Sequence, residues 1–211
     1  DGTYNITVNA TDYAGNQKIF NMSQIEIDNL PNATIITQTQ NTNHSGNMLV
    51  NVSLNSSNLA ILSVNLTIHN NTGNATGHIA MNLSAGSLTS GHWHATFDTT
   101  TLRDDRYNLS VNATTQGTNT QITTNVSITI DNTAANVSAI APANFTIQNG
   151  TMLINASVND TLSKVFNVTF RLTTPTGSTV TDWLYATNGI GTIDQGYWNT
   201  TFDTRTLNDS T

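Results

Sequence analysis

Alternation of apolar and polar residues with a period of two runs through almost the whole chain, and it constrains the fold more than any other feature. In Asn5-Ile6-Thr7-Val8-Asn9-Ala10-Thr11, the residues Ile6, Val8 and Ala10 fall on one side and the polar residues on the other, the pattern of a half-buried strand. The same pattern covers Asn51 to Asn55, Val64 to His69, Asn108 to Ala113, Asn125 to Ile130, Asn155 to Asn159 and Asn167 to Phe170. No stretch carries helical periodicity of useful length. Strands separated by Asn, Gly, Ser and Thr clusters, with no helical crossover between them, predict an all-β antiparallel sandwich.

The pattern also returns on a larger scale. Gly91-His92-Trp93-His94-Ala95-Thr96-Phe97-Asp98-Thr99 comes back as Gly196-Tyr197-Trp198-Asn199-Thr200-Thr201-Phe202-Asp203-Thr204, and Asp104-Asp105-Arg106-Tyr107-Asn108-Leu109 as Asp1-Gly2-Thr3-Tyr4-Asn5-Ile6. Ile25 to Asn29 matches Ile128 to Asn132, and Gly46 to Asn51 matches Gly150 to Asn155. These matches predict tandem immunoglobulin-like β-sandwich repeats of about 104 residues. Residues 1–28 would be the last two strands of one repeat, 29–131 a complete repeat, and 132–211 a repeat lacking its last two strands. Within the complete repeat, strands are expected near 32–40, 47–55, 61–70, 76–84, 92–98, 106–114 and 121–131. Seven strands is the count of a constant-type immunoglobulin domain. Tyr107, following Leu102 and Asp104, stands where a tyrosine-corner hydroxyl bonds backwards across the turn, and Tyr4 holds the equivalent place.

The pieces Phe97-Asp98-Thr99-Thr100-Thr101-Leu102, Asp1 to Asn16 and Ile130-Asp131-Asn132-Thr133-Ala134 resemble the tandem immunoglobulin-like repeats of archaeal, and some bacterial, cell-surface glycoproteins. The resemblance implies a spacer or building block of an S-layer, adhesin or extracellular filament. The sequence departs from that pattern at Ala135, where a junction proline is expected, while Pro31 follows Asn29-Leu30.

Composition narrows the partners. Charged residues make up 9% of the chain and the formal net charge is -7, so no basic stripe is available for nucleic acid or anionic lipid. The chain has no cysteine, which removes disulfides, cysteine-based zinc sites and thiol nucleophiles. No apolar run approaches the roughly 18 residues of a membrane span. Asp1-Gly2-Thr3-Tyr4 reads as the middle of a domain, which places any targeting or anchoring segment outside this window.

In place of charge the chain carries sequons, Asn-x-Ser/Thr with x other than proline. They begin at Asn5, Asn9, Asn21, Asn32, Asn43, Asn51, Asn55, Asn65, Asn70, Asn74 and Asn82, then at Asn108, Asn112, Asn125, Asn136, Asn144, Asn149, Asn155, Asn159, Asn167, Asn199 and Asn208. Composition alone would supply about eight. Asn5, Asn9, Asn51, Asn55, Asn108 and Asn112 fall on the polar faces of predicted strands, so N-linked glycans there would point into solvent. Dense sugar hydrates a surface without ions and shields sheet edges. An extracellular or cell-surface location follows as an expectation.

Catalytic raw material is thin: one glutamate, Glu26, two lysines, Lys18 and Lys164, and five histidines. No GxSxG, HExxH, Walker or GxGxxG motif occurs. His92 and His94 would share a strand face, but their counterparts are Tyr197 and Asn199, so a metal site is not expected; Trp93 and Trp198 recur on the opposite face and read as core. No cofactor is expected beyond covalent glycan. Calcium at the junctions is a minor candidate, with Asp28 and Asp131 near Asp104, Asp105 and Asp209, although turn capping accounts for the same residues. A Lys-Asn crosslink is set aside because Glu26 alternates outward between Ile25 and Ile27.

The two terminal pieces are complementary. Either they belong to flanking repeats of a longer polypeptide, or residues 1–28 of one subunit complete the open sandwich of the next, giving head-to-tail self-association as a polymer. The alternative function is an adhesin that binds carbohydrate or partner cells through sandwich loops, with Trp183 and Tyr185 in the 173–191 segment as its surface. A spacer beside a catalytic domain is a third reading.

Overall fold

The computed structural model describes residues 2–27, 30–56, 59–117 and 120–207, the side chains of 121–125 excepted. The described residues are all-β, with only two single-turn 3-10 segments, Thr99–Thr101 and Thr204–Thr206. The chain divides into two compact units, Asp1–Asn132 and Thr133–Thr211.

The first unit opens with a hairpin of β1 (Gly2–Thr11) and β2 (Gln17–Ile27), which form a two-stranded sheet of their own. Then follow β3 (Asn32–Ile35), β4 (Thr42–His44), β5 (Asn47–Asn55), β6 (Ile61–Asn70), β7 (Gly73–Asn74), β8 (Ile79–Ala80), β9 (Asn82–Gly86), β10 (Ser90–Asp98), β11 (Asp105–Thr115) and β12 (Thr120–Ile130). One sheet has the order β3-β5-β10-β9 and the other β4-β12-β11-β6-β7, with β8 also on β6. Their facing residues alternate with outward polar ones, as period two demands, and enclose one core that includes Val50, Val52, Leu66, Ile68, Leu109, Val111 and Ile130.

Two of the seven expected strands are divided. The segment near 32–40 becomes β3 and β4, because β3 pairs with β5 in one sheet while β4 pairs in parallel with β12 in the other. Asn41, at φ 64, lies between them. The segment near 76–84 likewise becomes β8, paired with β6, and β9, paired with β10. Alternation identifies a strand but not the sheet that receives it. The remaining five expected strands lie within one or two residues of their predicted bounds.

Tyr107 forms the corner: its hydroxyl donates to the Arg103 carbonyl oxygen at 2.9 Å, with the ring 4% exposed. Tyr107→Phe removes this bond and keeps the packing, so it is expected to lower unfolding free energy by about 1 kcal/mol, measured by urea denaturation.

The second unit contains β13 (Asn136–Ala141), β14 (Thr151–Asn159), β15 (Thr169–Phe170), β16 (Leu184–Tyr185), β17 (Thr187–Gly191) and β18 (Gln195–Asp203). Its four-stranded sheet has the order β13-β14-β18-β17, and β15 and β16 form a separate pair. Trp198 pairs with Ala156, as Trp93 does with Val52. Both indoles are core residues, 6% exposed at Trp93 and 7% at Trp198. The turns into β10 and β18 need glycine: a Cβ on Gly86 (φ +89) or Gly191 (φ +101) would lie 2.5 Å from the carbonyl oxygen of Ser90 or Gln195.

Candidate glycan-bearing surface

The pleat that buries one set of residues presents the other. In β5 and β14 the burial pattern is the same, with Met48, Val50, Val52 and Leu54 inward and Asn51 half-exposed between them. Asn108 and Asn112 stand outward between Tyr107, Leu109, Val111 and Ala113, which are buried. Every described sequon asparagine is exposed or half-exposed, and none is buried. The side chain of Asn125, and Asn208 altogether, lie outside the described residues.

The strand pairing adds an arrangement that sequence alone does not show. Asn32 lies opposite Asn55, Asn65 opposite Asn112, Asn136 opposite Asn159, and Asn155 opposite Asn199. Side chains so paired start about 5 Å apart at Cβ. Asn70 forms an Asx turn inside its own sequon: its Oδ1 accepts from the Thr72 amide at 3.0 Å and from the Thr72 hydroxyl at 2.7 Å.

Carboxylates serve the turns. Asp98 Oδ1 accepts from the Thr100 amide at 3.0 Å and from the Thr100 hydroxyl at 2.7 Å; Asp203 accepts from the amide and guanidinium of Arg205. These bonds, from Thr100 and Arg205 respectively, hold both carboxyls below the ordinary carboxylate range. Burial raises Asp160, but hydrogen bonds from Ser163, Leu162 and Lys164 outweigh it and the net direction is down. Burial also lowers His44.

All these groups bind protons less readily when folded, so the unfolded chain takes up more protons as pH falls. The carboxylate contribution is fully present above about pH 4, and that of His44 above about pH 6.5. Melting temperature is therefore expected to decline below neutrality through His44 and more steeply in the carboxylate range. Thermal unfolding across pH 2–8 measures both phases, and His44→Gln removes the upper one.

At the end of β12 the Asp104 carboxylate accepts from the Asn132 amide at 2.8 Å, which is the capping role for that aspartate. Asp105 accepts from the Arg106 amide, Asp131 donates its amide to the His44 carbonyl oxygen, and Asp28 and Asp209 lie outside the described residues. No group of three or more metal-ligating side chains occurs among the described residues. Glu26 is exposed, and Lys164 pairs with Asp194 at 3.4 Å. No described helix is long and apolar enough to cross a membrane.

The 173–191 segment is only partly a loop. Thr173 bridges to Thr179, and Thr187–Gly191 is β17, an edge strand on β18 with a register shift between Asn188 and Ile190. Trp183 and Tyr185 are exposed, and the Arg171 guanidinium lies 4.6 Å from the Trp183 ring centroid. The turn capping by Asp98 and Asp203 and the bonds of Asn132 do not follow from strand alternation. The recurring Phe-Asp-Thr and Asp-Asn pieces were their only signal.

No protein-family model and no curated protein matches the chain. Among solved structures it is similar to the fibronectin(III)-like modules of Clostridium thermocellum CbhA, at 14% identity and TM-score 0.36, over 81% of this chain and 77% of that one. It is also similar to the sulfane dehydrogenase SoxCD from Paracoccus pantotrophus, at 11% identity and TM-score 0.34, over 54% of this chain. The match spans 27% of the dehydrogenase chain's length. At these scores neither likeness bears on what the chain does.

Proposed function

We propose that this chain is a structural subunit of a heavily N-glycosylated extracellular filament or surface layer, built from head-to-tail immunoglobulin-like repeats of about 104 residues, with no catalytic role. The observation that carries the reading is the phase of the sequons. They are in excess over composition, and along the strands their asparagines sit on outward positions. Sugar there replaces the missing charge as the hydrating layer and covers sheet edges. A second support is shared register: nine successive pairs join β14 to β18 as nine join β5 to β10. Cryo-electron microscopy of native material tests the proposal. An ordered polymer with density extending from sequon asparagines is the expected result, and bare, dispersed particles would overturn it.

One consequence is quantitative. Directly opposed asparagines leave little room for two oligosaccharides, so double occupancy of Asn65 with Asn112, or of Asn155 with Asn199, is expected below the product of the single occupancies. Intact glycopeptide mass spectrometry reads this.

The adhesin reading keeps one observation in its favour, the exposed Trp183 and Tyr185 beside Arg171. A glycan array probed with purified single molecules separates it from the structural one.

A further inference from the structure

We propose that the N-linked glycan of Asn167 lies along the outer face of the β15–β16 pair, with its first sugars against the rings of Tyr185 and Trp183. The proposal rests on the glycosylation of the sequons argued above and gives one of those glycans a binding surface on its own chain.

Register builds the aromatic surface. Thr169 pairs with Tyr185 and Phe170 with Leu184, and the Ala186 amide donates to the Val168 carbonyl oxygen at 2.9 Å, which carries the antiparallel pairing one residue further. Val168, Phe170 and Ala186 pack against the core of the second unit. Their neighbours in the pleat, Asn167, Thr169 and Arg171 on one strand and Trp183 and Tyr185 on the other, therefore stand on the opposite face. Trp183 is 55% and Tyr185 72% exposed there. The Arg171 guanidinium lies 4.6 Å from the Trp183 ring centroid, which holds the indole and sets N–H donors beside it. Any strand added beside β15 would widen the sheet in its own plane and leave this outer face open, so the exposure of the rings follows from the pleat.

Position selects the occupant. Asn167 opens the sequon Asn167-Val168-Thr169, is exposed, and precedes Thr169 by two residues on the same face. Thr169 is level with Tyr185, so Asn167 is a diagonal neighbour of that ring, about 7–8 Å away, a separation that long and aromatic side chains still bridge. Trp183 lies two residues further from Asn167 than Tyr185 does, about 7 Å along the strand. A sugar attached to Asn167 Nδ2 thus begins beside Tyr185, and an oligosaccharide that continues along the strand reaches Trp183. A sugar ring carries hydroxyls around its rim and C–H groups on its faces, and those C–H groups suit the negative face of an aromatic ring. The rim hydroxyls accept from the Arg171 guanidinium. A tethered sugar also meets this surface at high effective concentration, against which free carbohydrate must compete.

The first unit supplies an internal comparison. Asn65 pairs with Ala80 and Leu66 with Ile79, the register of Thr169 with Tyr185 and Phe170 with Leu184. Counted from those pairs, the counterparts of Asn167, Arg171, Trp183 and Tyr185 are Ser63, Thr67, His78 and Ala80. In place of the Arg171–Trp183 stack, the Thr67 hydroxyl lies 3.1 Å from His78 Nδ1. The sequon asparagine and the exposed rings occur together in one unit and are missing together from these positions of the other, as a sugar and its bed would be.

Hydroxyl-radical footprinting of the full-length chain in its native glycosylated form tests this, with labelling of each ring read by peptide mass spectrometry. Asn167→Gln removes the sequon and is expected to raise labelling of Tyr185 and Trp183 about twofold, since an aromatic contact of ordinary strength keeps the rings covered most of the time. Buried Trp198 should stay protected, which checks folding of the second unit, and fully exposed Tyr13 should be unchanged. Thr169→Val deletes the same sequon while keeping a β-branched residue opposite Tyr185, and should give the same rise. Unchanged labelling in both variants, with Asn167 glycosylated in the wild type, would overturn the proposal and leave glycosylation standing; a rise in only one variant would trace to that substitution and overturn it as well. Asn167 found bare while other sequons carry sugar would also overturn it, whereas sequons bare throughout would remove the reading on which it rests. Glycan-array binding by the native chain that is lost in Trp183→Ala would show the rings open to foreign carbohydrate and contradict the proposal.

Discussion

Leu66→Ala is expected to destabilise the first unit by roughly 3–5 kcal/mol, the largest single effect we foresee. Leu66 is fully buried and lies between Ile79 and Val111 in adjacent strands. Both sheets close over it, so the site has little freedom to collapse and the lost methyl groups leave a cavity. Phe170 of the second unit, paired with Leu184 as Leu66 is with Ile79, removes more atoms when changed to alanine but is half-buried. In the isolated chain Phe170→Ala should therefore lower stability by only about 1–2 kcal/mol. Calorimetry resolving the two units checks both values, and equal effects would refute the difference in cover.

Asn132→Ala comes second, at about 1–2 kcal/mol, because one side chain ties three segments of the first unit together. Its Oδ1 accepts from the Gly46 amide at 3.0 Å and lies 3.0 Å from the hydroxyl of Thr99, and its Nδ2 donates to the Thr99 carbonyl oxygen at 3.2 Å. Thr99 is completely buried, but its hydroxyl keeps the Gly46 carbonyl oxygen and its own carbonyl keeps the Leu102 amide, so the Gly46 amide is the group that loses its partner on truncation. Asn132→Asp keeps the acceptor but sets a carboxylate oxygen against the Thr99 carbonyl oxygen and the Asp104 carboxylate, and is expected to be no more stable than alanine in denaturant melts at neutral pH.

Much of this fold is legible in the residues because both of its signals are local or repeated. Period two places Val50, Val52, Leu109 and Val111 inward and Asn51, Asn108 and Asn112 outward without any knowledge of partners. The Tyr107 corner is legible for a similar reason, since its acceptor lies four residues away. What escapes sequence reading depends on which strand meets which. β3 and β4 read as one strand, and only their partners, β5 and β12, separate them. The facing pairs Asn65 with Asn112 and Asn155 with Asn199 are products of register, and Asn132 draws its partners from 33 and 86 residues away. Trp183 and Tyr185 stand out as aromatics in a polar segment, but their exposure beside Arg171 depends on how that segment folds back.

The sequons are the center of the account, and glycopeptide mass spectrometry of the native protein tests them most directly. N-linked glycan is expected on many outward strand asparagines, Asn9, Asn51, Asn108 and Asn159 among them. A native protein whose sequon peptides are all unmodified would contradict it.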